Sequence, residues 1–292
     1  MEKLVVPSYS EFNRFIEPVL WENTHERNVL TIKGFECLFD NFKKIYSAEQ
    51  KTNTNIVEEI HRRIQYLYLK DEQIERNWKE MYTPYIYEVF GEEIKKFDLE
   101  NVIPKDYAFL EDTYNLFCND KLLLKPYEDD YLETKNKFKD KKMVCINGRN
   151  AINKHRARNN LMLSIIENLI NEGYFVVNTT IMPPNFTSRF SNDSYMEISE
   201  NFSYNKTLSF FTNSICVISI ENGAGISTHL LSESNFIILA HTESSIRNMM
   251  EYRRQKGFLT HRVAENDIMN LVKQMVPPTI TKFSDRNKIV NI

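Results

Sequence analysis

Beyond residue 142 the chain alternates short apolar runs with stretches of helical spacing. Met143–Ile146, Tyr174–Val177, Ile215–Ile220 and Phe236–Ala240 are rich in apolar and β-branched residues and end in polar or glycine-containing turns, the pattern of strands buried on both faces. Between them Leu161, Ile165, Ile166 and Leu169 recur at helical spacing and stop at Gly173, a natural residue to follow a helix. Tyr204–Thr212 predicts a second helix, Ser244–Arg254 a third and Glu265–Met275 a last, closed by Pro277-Pro278 before a polar tail. Residues 181–200, with two prolines and many polar side chains, read as a surface loop or lid. Strand–helix alternation from 143 to 275 predicts a parallel, Rossmann-like sheet with right-handed crossovers.

The first half is less regular. Leu4–Val6 and Val29–Ile32 read as short strands, and Ser10 is placed to cap a helix from Glu11 to about Leu20. Phe35, Leu38, Phe39, Phe42 and Ile45 have helical spacing, which predicts a helix over 34–46. Ile56, Ile60, Ile64 and Leu67, continued by Trp78, Met81 and Tyr82, predict a long charged amphipathic helix or helix pair. Scaffold, or contact with a second copy in a homo-oligomer, is its expected role. Val102–Pro104 and Leu122–Leu124 are further candidate strands, and the lysine-rich connector 135–142 marks a boundary between a helix-rich domain 1–140 and a Rossmann-like domain 141–292.

Composition narrows the class. With 292 residues, 42% hydrophobic and 26% charged, the chain suits one large or two medium globular domains. No apolar run approaches a membrane span and the N-terminus has no signal-peptide pattern. The four cysteines are scattered without a CxxC pair. A reduced, cytoplasmic protein without a zinc site is expected. The net charge of −3 hides an asymmetry: residues 1–140 carry 20 Lys+Arg against 28 Asp+Glu, and 141–292 carry 17 against 12, so the halves stand at −8 and +5. An anionic ligand therefore belongs with the second half.

Two predicted strand ends carry the candidate chemistry. After Met143–Ile146 comes Asn147-Gly148-Arg149-Asn150, then a basic loop with Lys154, His155, Arg156 and Arg158. A guanidinium fork binds phosphate oxygens at two points and a lysine adds a point charge. After Ile215–Ile220 comes Glu221-Asn222-Gly223-Ala224-Gly225, which holds two of the seven glycines, followed by Ser227, Thr228 and His229. Glycine lets backbone approach a ligand, the N–H groups of a following helix start suit an anion, and Glu221 can accept from ribose hydroxyls. Thr179, at the end of the Tyr174–Val177 strand, joins this rim. A nucleoside diphosphate fits the set. The plainer alternatives are a turn shaped by glycine for geometry alone and a solvated basic loop. Glu128-Asp129-Asp130 is the one acidic cluster open to a metal, and its position before a helical stretch favours a helix start.

The run VISIENGAGISTHLL resembles the strand–glycine turn–Ser/Thr–His–Leu segment of heptosyltransferase-like enzymes, and VCINGRNAINKHRARNN is similar, more loosely, to the strand and basic loop of fucosyltransferase-like ones. Residues 143–275 thus look like the C-terminal donor-binding domain of GT-B glycosyltransferases. The resemblance implies an α/β, two-domain GT-B-like chain with a more helical N-terminal acceptor domain. It implies Arg149 or Arg156 on the donor diphosphate, and Gly223, Ala224, Gly225, Ser227, Thr228 and His229 around the donor. It also implies a metal-independent reaction with a nucleotide-diphosphate sugar as substrate and no cofactor. The family usually has an Asp-Ser or Ser-Gly type turn where this chain has Glu221-Asn222-Gly223.

An inverting transfer needs one general base beside the acceptor hydroxyl. Glu11, His25 and Glu26 are the candidates in the first half. The expected function is transfer of a sugar to a glycan, protein or modified nucleic acid. The alternatives are a non-catalytic nucleotide- or polyanion-binding module, and an epimerase or hydrolase on the same half-fold.

Overall fold

The computed structural model describes residues 4–5, 25, 28–49, 123–147, 156–179, 189–198, 203–219, 232–239, 250–251, 253–262 and 267–292. The chain divides into two compact units, Met1–Leu116 with Asp285–Ile292, and Phe117–Ser284. Both are built on parallel sheets.

In the first unit β1 (Leu4–Val5), β2 (Asn28–Ile32), β3 (Lys44–Ala48) and the chain's last strand, β10 (Ile289–Asn291), lie in the order β1-β2-β3-β10. Val29 pairs with Ile45, and Ile45 with Ile289, so one row of β-branched residues crosses the sheet. The helix expected over 34–46 is replaced by a single 3-10 turn, Glu36–Phe39, followed by β3. The apolar residues are buried as their spacing demands, but Glu36 pins the turn. Its buried carboxylate accepts from the Gly34 N–H at 2.8 Å and the Ser47 hydroxyl at 2.5 Å. Ile45 then gains more as a strand residue between two β-branched neighbours than as a fourth turn of helix. β10 falls in what the sequence showed as a polar tail; Asn291 pairs with Ser47 there. The helices expected over 11–20 and 56–82 and the strand at 102–104 lie outside the described residues.

The second unit carries six parallel strands: β4 (Met143–Asn147), β5 (Phe175–Asn178), β6 (Tyr195–Glu197), β7 (Val217–Ser219), β8 (Phe236–Ile238) and β9 (Thr260–Arg262). Their order is β6-β5-β4-β7-β8-β9, so the chain starts in the middle, runs to one edge and returns to build the other half. This is the doubly wound order of dinucleotide-binding sheets. The α-helices α1 (Glu128–Lys137), α2 (Arg156–Asn171), α3 (Tyr204–Asn213) and α4 (Ile268–Gln274) accompany it, and residues 250–251 and 253–255 are also helical.

Alternation along the strands sorts the faces. Val144, Ile146, Val176, Ile218 and Ile237 form one core with Met162, Ile165, Ile166 and Leu169 of α2 and with Ile268 and Val272 of α4. On the opposite face the ring of Phe175 meets Phe138, Phe138 meets Phe210 of α3, and Phe211 of α3 meets Phe236. α2 closes at Gly173 (φ +82°), where the Gly173 N–H donates to Ile170 O and the Tyr174 N–H to Leu169 O. A left-handed residue at that place suits glycine.

Glu128, Asp129 and Asp130 occupy the first turn of α1, as expected of acids at the positive end of a helix dipole. α1 packs on α3 through Lys206–Glu133 at 2.8 Å and Asn213 Nδ2 to Tyr131 O at 3.1 Å. Its contacts therefore place it in the second unit, on the far side of the 140/141 boundary drawn from the lysine-rich connector. Two short strands carry no apolar signature and were not legible. β6 sits inside the expected loop 181–200, and β9 reads Thr-His-Arg at the sheet's edge. Cys37, Cys145 and Cys216 are buried free thiols. No described helix is long and apolar enough to cross a membrane.

Candidate functional site

β4 and β7 are neighbours, yet the chain leaves them in opposite directions, toward β5 and toward β8. In such sheets the crevice outside the carboxyl ends of these two strands is where ligands bind. At that point Asn147, the last residue of β4, pairs in register with Ser219, the last residue of β7. Strand spacing puts their backbones about 5 Å apart with both side chains on one face. Asn147 is 1% exposed and Ser219 is fully buried. Neither Asn147 Nδ2 nor Ser219 Oγ has a hydrogen-bond partner. A buried polar group left unpaired costs about 1–3 kcal/mol, so two of them side by side form an unfilled demand at the ligand end of the sheet.

The described strand face beside them is apolar and buried. Cys145 lies two residues earlier on the same strand face, and burial pushes its thiol up to about 12, with a Ser214 hydrogen bond opposing. On the other face, at the end of β5, the polar groups are already engaged. Asn178 Nδ2 donates to Tyr195 Oη at 2.9 Å, and burial raises the Tyr195 phenol well above its usual range. Thr179 gives both its N–H and its hydroxyl to the Ile146 carbonyl, at 2.9 and 3.0 Å.

The other sequence-derived site residues fall around this point. Arg149 follows Asn147 by two residues and Glu221 follows Ser219 by two, so both candidate loops leave from neighbouring strand ends. Arg149, Lys154, Glu221, Asn222, Gly223, Ala224, Gly225, Ser227, Thr228 and His229 themselves lie outside the described residues. Arg156 and Arg158, expected in a basic loop, belong to the first turn of the 16-residue helix α2, which carries no acid there. Cations at a helix N-terminus oppose its dipole. Of the candidate bases, His25 is exposed, and Glu11 and Glu26 lie outside the described residues. Asn147 and Ser219 were not among the expected site residues. Their signal is a polar residue ending an apolar run, MVCIN and VIS, at the switch point of the sheet.

No protein-family model matches the sequence, and no curated protein matches it. Solved structures do. ADP-heptose LPS heptosyltransferase II of E. coli matches with a TM-score of 0.51 at 10% identity over 94% of this chain and 99% of that one. A UDP-GlcNAc 2-epimerase from Neisseria meningitidis bound to UDP-GlcNAc matches with a TM-score of 0.32 at 12% identity, over 90% and 79%. The wall teichoic acid polymerase TagF matches with a TM-score of 0.32 at 9% identity, over 93% and 88%. Of these three the heptosyltransferase superposes well enough to speak for the fold, and the likeness runs along nearly the whole chain. The fold is that of GT-B glycosyltransferases, as the resemblance in the sequence implied.

Proposed function

We propose that the protein is a glycosyltransferase that binds a nucleotide-diphosphate sugar at the β4/β7 switch point and passes the sugar to a glycan, protein or modified nucleic acid. The observation that carries this is the register pair Asn147–Ser219, unsatisfied and buried, on neighbouring strands that lead into the Arg149–Arg158 and Glu221–His229 segments. The E. coli enzyme of similar fold is named for ADP-heptose, which supports a nucleotide-diphosphate sugar as the donor class.

The chemistry follows from charge. The acceptor oxygen attacks the anomeric carbon, the bond from that carbon to the diphosphate oxygen breaks, and the diphosphate leaves with the electron pair. Arg149 and Arg156 neutralise that departing charge, which stabilises the transition state more than the ground state. The acceptor proton goes to a base, for which Glu11, His25 and Glu26 are the candidates. With guanidinium groups on the diphosphate, transfer proceeds without a divalent metal.

Calorimetric titration and thermal shift with UDP, GDP, ADP and their hexose conjugates, each with and without EDTA, test the proposal. One nucleoside diphosphate is expected to bind and to raise the unfolding midpoint with concentration, equally in EDTA. No binding by any of them overturns the donor site. Binding that EDTA abolishes overturns the metal-free step.

A further inference from the structure

The proposed contacts of Arg149 and Arg156 would answer a diphosphate and leave Asn147 and Ser219 unexplained. Both are uncharged. An amide N–H can only donate, whereas a serine hydroxyl both donates and accepts. A ligand group that answers both at once must accept from Asn147 Nδ2 and exchange a hydrogen bond with Ser219 Oγ. A hydroxyl does this with its two lone pairs and one proton. A phosphate oxygen can accept from both, but it brings a full charge to a place without a described cation to meet it. The strand face there is apolar: Cys145, Val217 and Ile238, on the same face by alternation and register, are fully buried. Moving an ion into such a place is costly, whereas moving a hydroxyl that finds two partners is not.

From this juxtaposition we infer that Asn147 and Ser219 together bind a sugar hydroxyl of the donor, beside the diphosphate subsite. The inference rests on the switch point being a nucleotide-sugar site. It adds a polyol-recognising pair that selects for the sugar part of the ligand. The pair is held ready by the sheet. Both side chains sit on residues in parallel register, so their spacing is set by the backbone ladder and needs no loop to arrange it.

The test uses the full chain and the variants S219A, N147L and S219T. The probes are the nucleoside diphosphate that the wild type binds, its hexose conjugate, and inorganic pyrophosphate. S219A and N147L are expected to lose about tenfold in affinity for the probe whose hydroxyl they hold. A loss confined to the conjugate assigns the transferred hexose, and a loss shared by the free nucleotide assigns the ribose. Pyrophosphate binding stays unchanged and S219T, which keeps the hydroxyl, stays within about threefold of wild type. Without ligand, S219A and N147L unfold at or above the wild-type temperature, because each removes a buried polar group that had no partner.

Unchanged affinity for both nucleotide probes overturns the inference. So does an equal loss for pyrophosphate, which would mean that the pair holds phosphate. Variants that unfold earlier without ligand, or do not fold, also overturn it by showing that the two groups serve the fold. A wild type that binds none of the probes removes the nucleotide-sugar reading itself and this inference with it.

Discussion

Two asparagines in the six-stranded sheet show how its ends differ. Asn235 stands just before β8, at the amino end of the strands, and is 3% exposed. Its Nδ2 donates to Ile215 O at 3.0 Å and Val276 O at 2.8 Å, and its Oδ1 accepts from the Leu259 N–H at 3.1 Å. One side chain thus ties the lead-in to β7, the lead-in to β9 and the exit of α4. Asn147 stands at the carboxyl end, is equally buried, and leaves its Nδ2 without a partner. Arg253 and Ser219 repeat the contrast, whereas Asn178 and Thr179, also at the carboxyl end, have partners. At the amino end Arg253, fully buried, donates to Thr260 Oγ1 at 3.1 Å, to Ser232 O at 2.7 Å and to Ser234 O, and lies over the Phe236 ring at 4.9 Å. The hydroxyls of Ser232 and Ser234 bond each other at 2.6 Å. At the carboxyl end Ser219 has no such neighbour. Burial is alike in the two sets; Asn235 and Arg253 differ from Asn147 and Ser219 in the completeness of their hydrogen bonds.

The largest expected effect breaks the closed end. Arg253→Met keeps much of the apolar stem but strips the donors from Ser232 O and Ser234 O, at a cost of about 3 kcal/mol in folding stability. Urea unfolding of the variant is expected to show that loss, while the folded fraction keeps wild-type nucleotide affinity. A variant that loses affinity by itself, with unfolding unchanged, would erase the distinction between the two ends.

At the open end the expectation is reversed. Arg149→Ala or Arg156→Ala is expected to weaken nucleoside diphosphate binding by roughly ten- to a hundredfold, the worth of a charge-assisted pair of about 1.5–3 kcal/mol. Unfolding is expected to stay within about 0.5 kcal/mol of wild type. Titration calorimetry and denaturation of the same preparations read both quantities. Unchanged affinity in both variants removes the phosphate role. Gly225→Val is expected to weaken binding less, about fivefold, through a side chain that holds the ligand off the turn.

The difference between the two ends also explains what could be read from the chain. The four central strands were visible because each is a continuous apolar run buried on both faces, and Leu161–Leu169 was visible because its period matches a helix that covers one face. β6, β9 and β10 were not visible. Tyr195–Glu197, Thr260–Arg262 and Ile289–Asn291 are three residues each and sit at sheet edges, the last of them far along the chain from its partner β3, so their pairing is decided by tertiary neighbours. Residues 34–46 misled for a different reason. Helical spacing records only that apolar residues are buried at intervals of three and four, and a turn pinned by Glu36 buries them equally well. The basic and glycine-bearing segments offer candidate chemistry by residue type, though Arg156 and Arg158, expected in a loop, belong to α2. Asn147 and Ser219 were not legible, because a polar residue at a strand end means nothing until the register places two of them together.

The smallest expected effect lies at the closed end and depends on pH. Glu233, half-buried beside the Ser232–Ser234 pair, has its carboxyl raised above the usual 4.5 by burial, against the pull of Lys125, Lys282 and Arg253. A carboxyl that binds its proton more tightly in the folded protein stabilises the fold below the unfolded value and loses that contribution as pH rises through the folded value. Wild type and Glu233→Gln are thus expected to unfold with similar midpoints below pH 4.5, and the variant to become slightly the more stable as pH climbs past the raised value. Other titrating groups cancel in the difference between the two proteins. A Gln variant that is the less stable one at neutral pH would mean that the three cations outweigh burial. Nucleotide affinity should not follow this titration, because Glu233 sits at the end of the strands where every described donor and acceptor on Asn235 and Arg253 serves the fold.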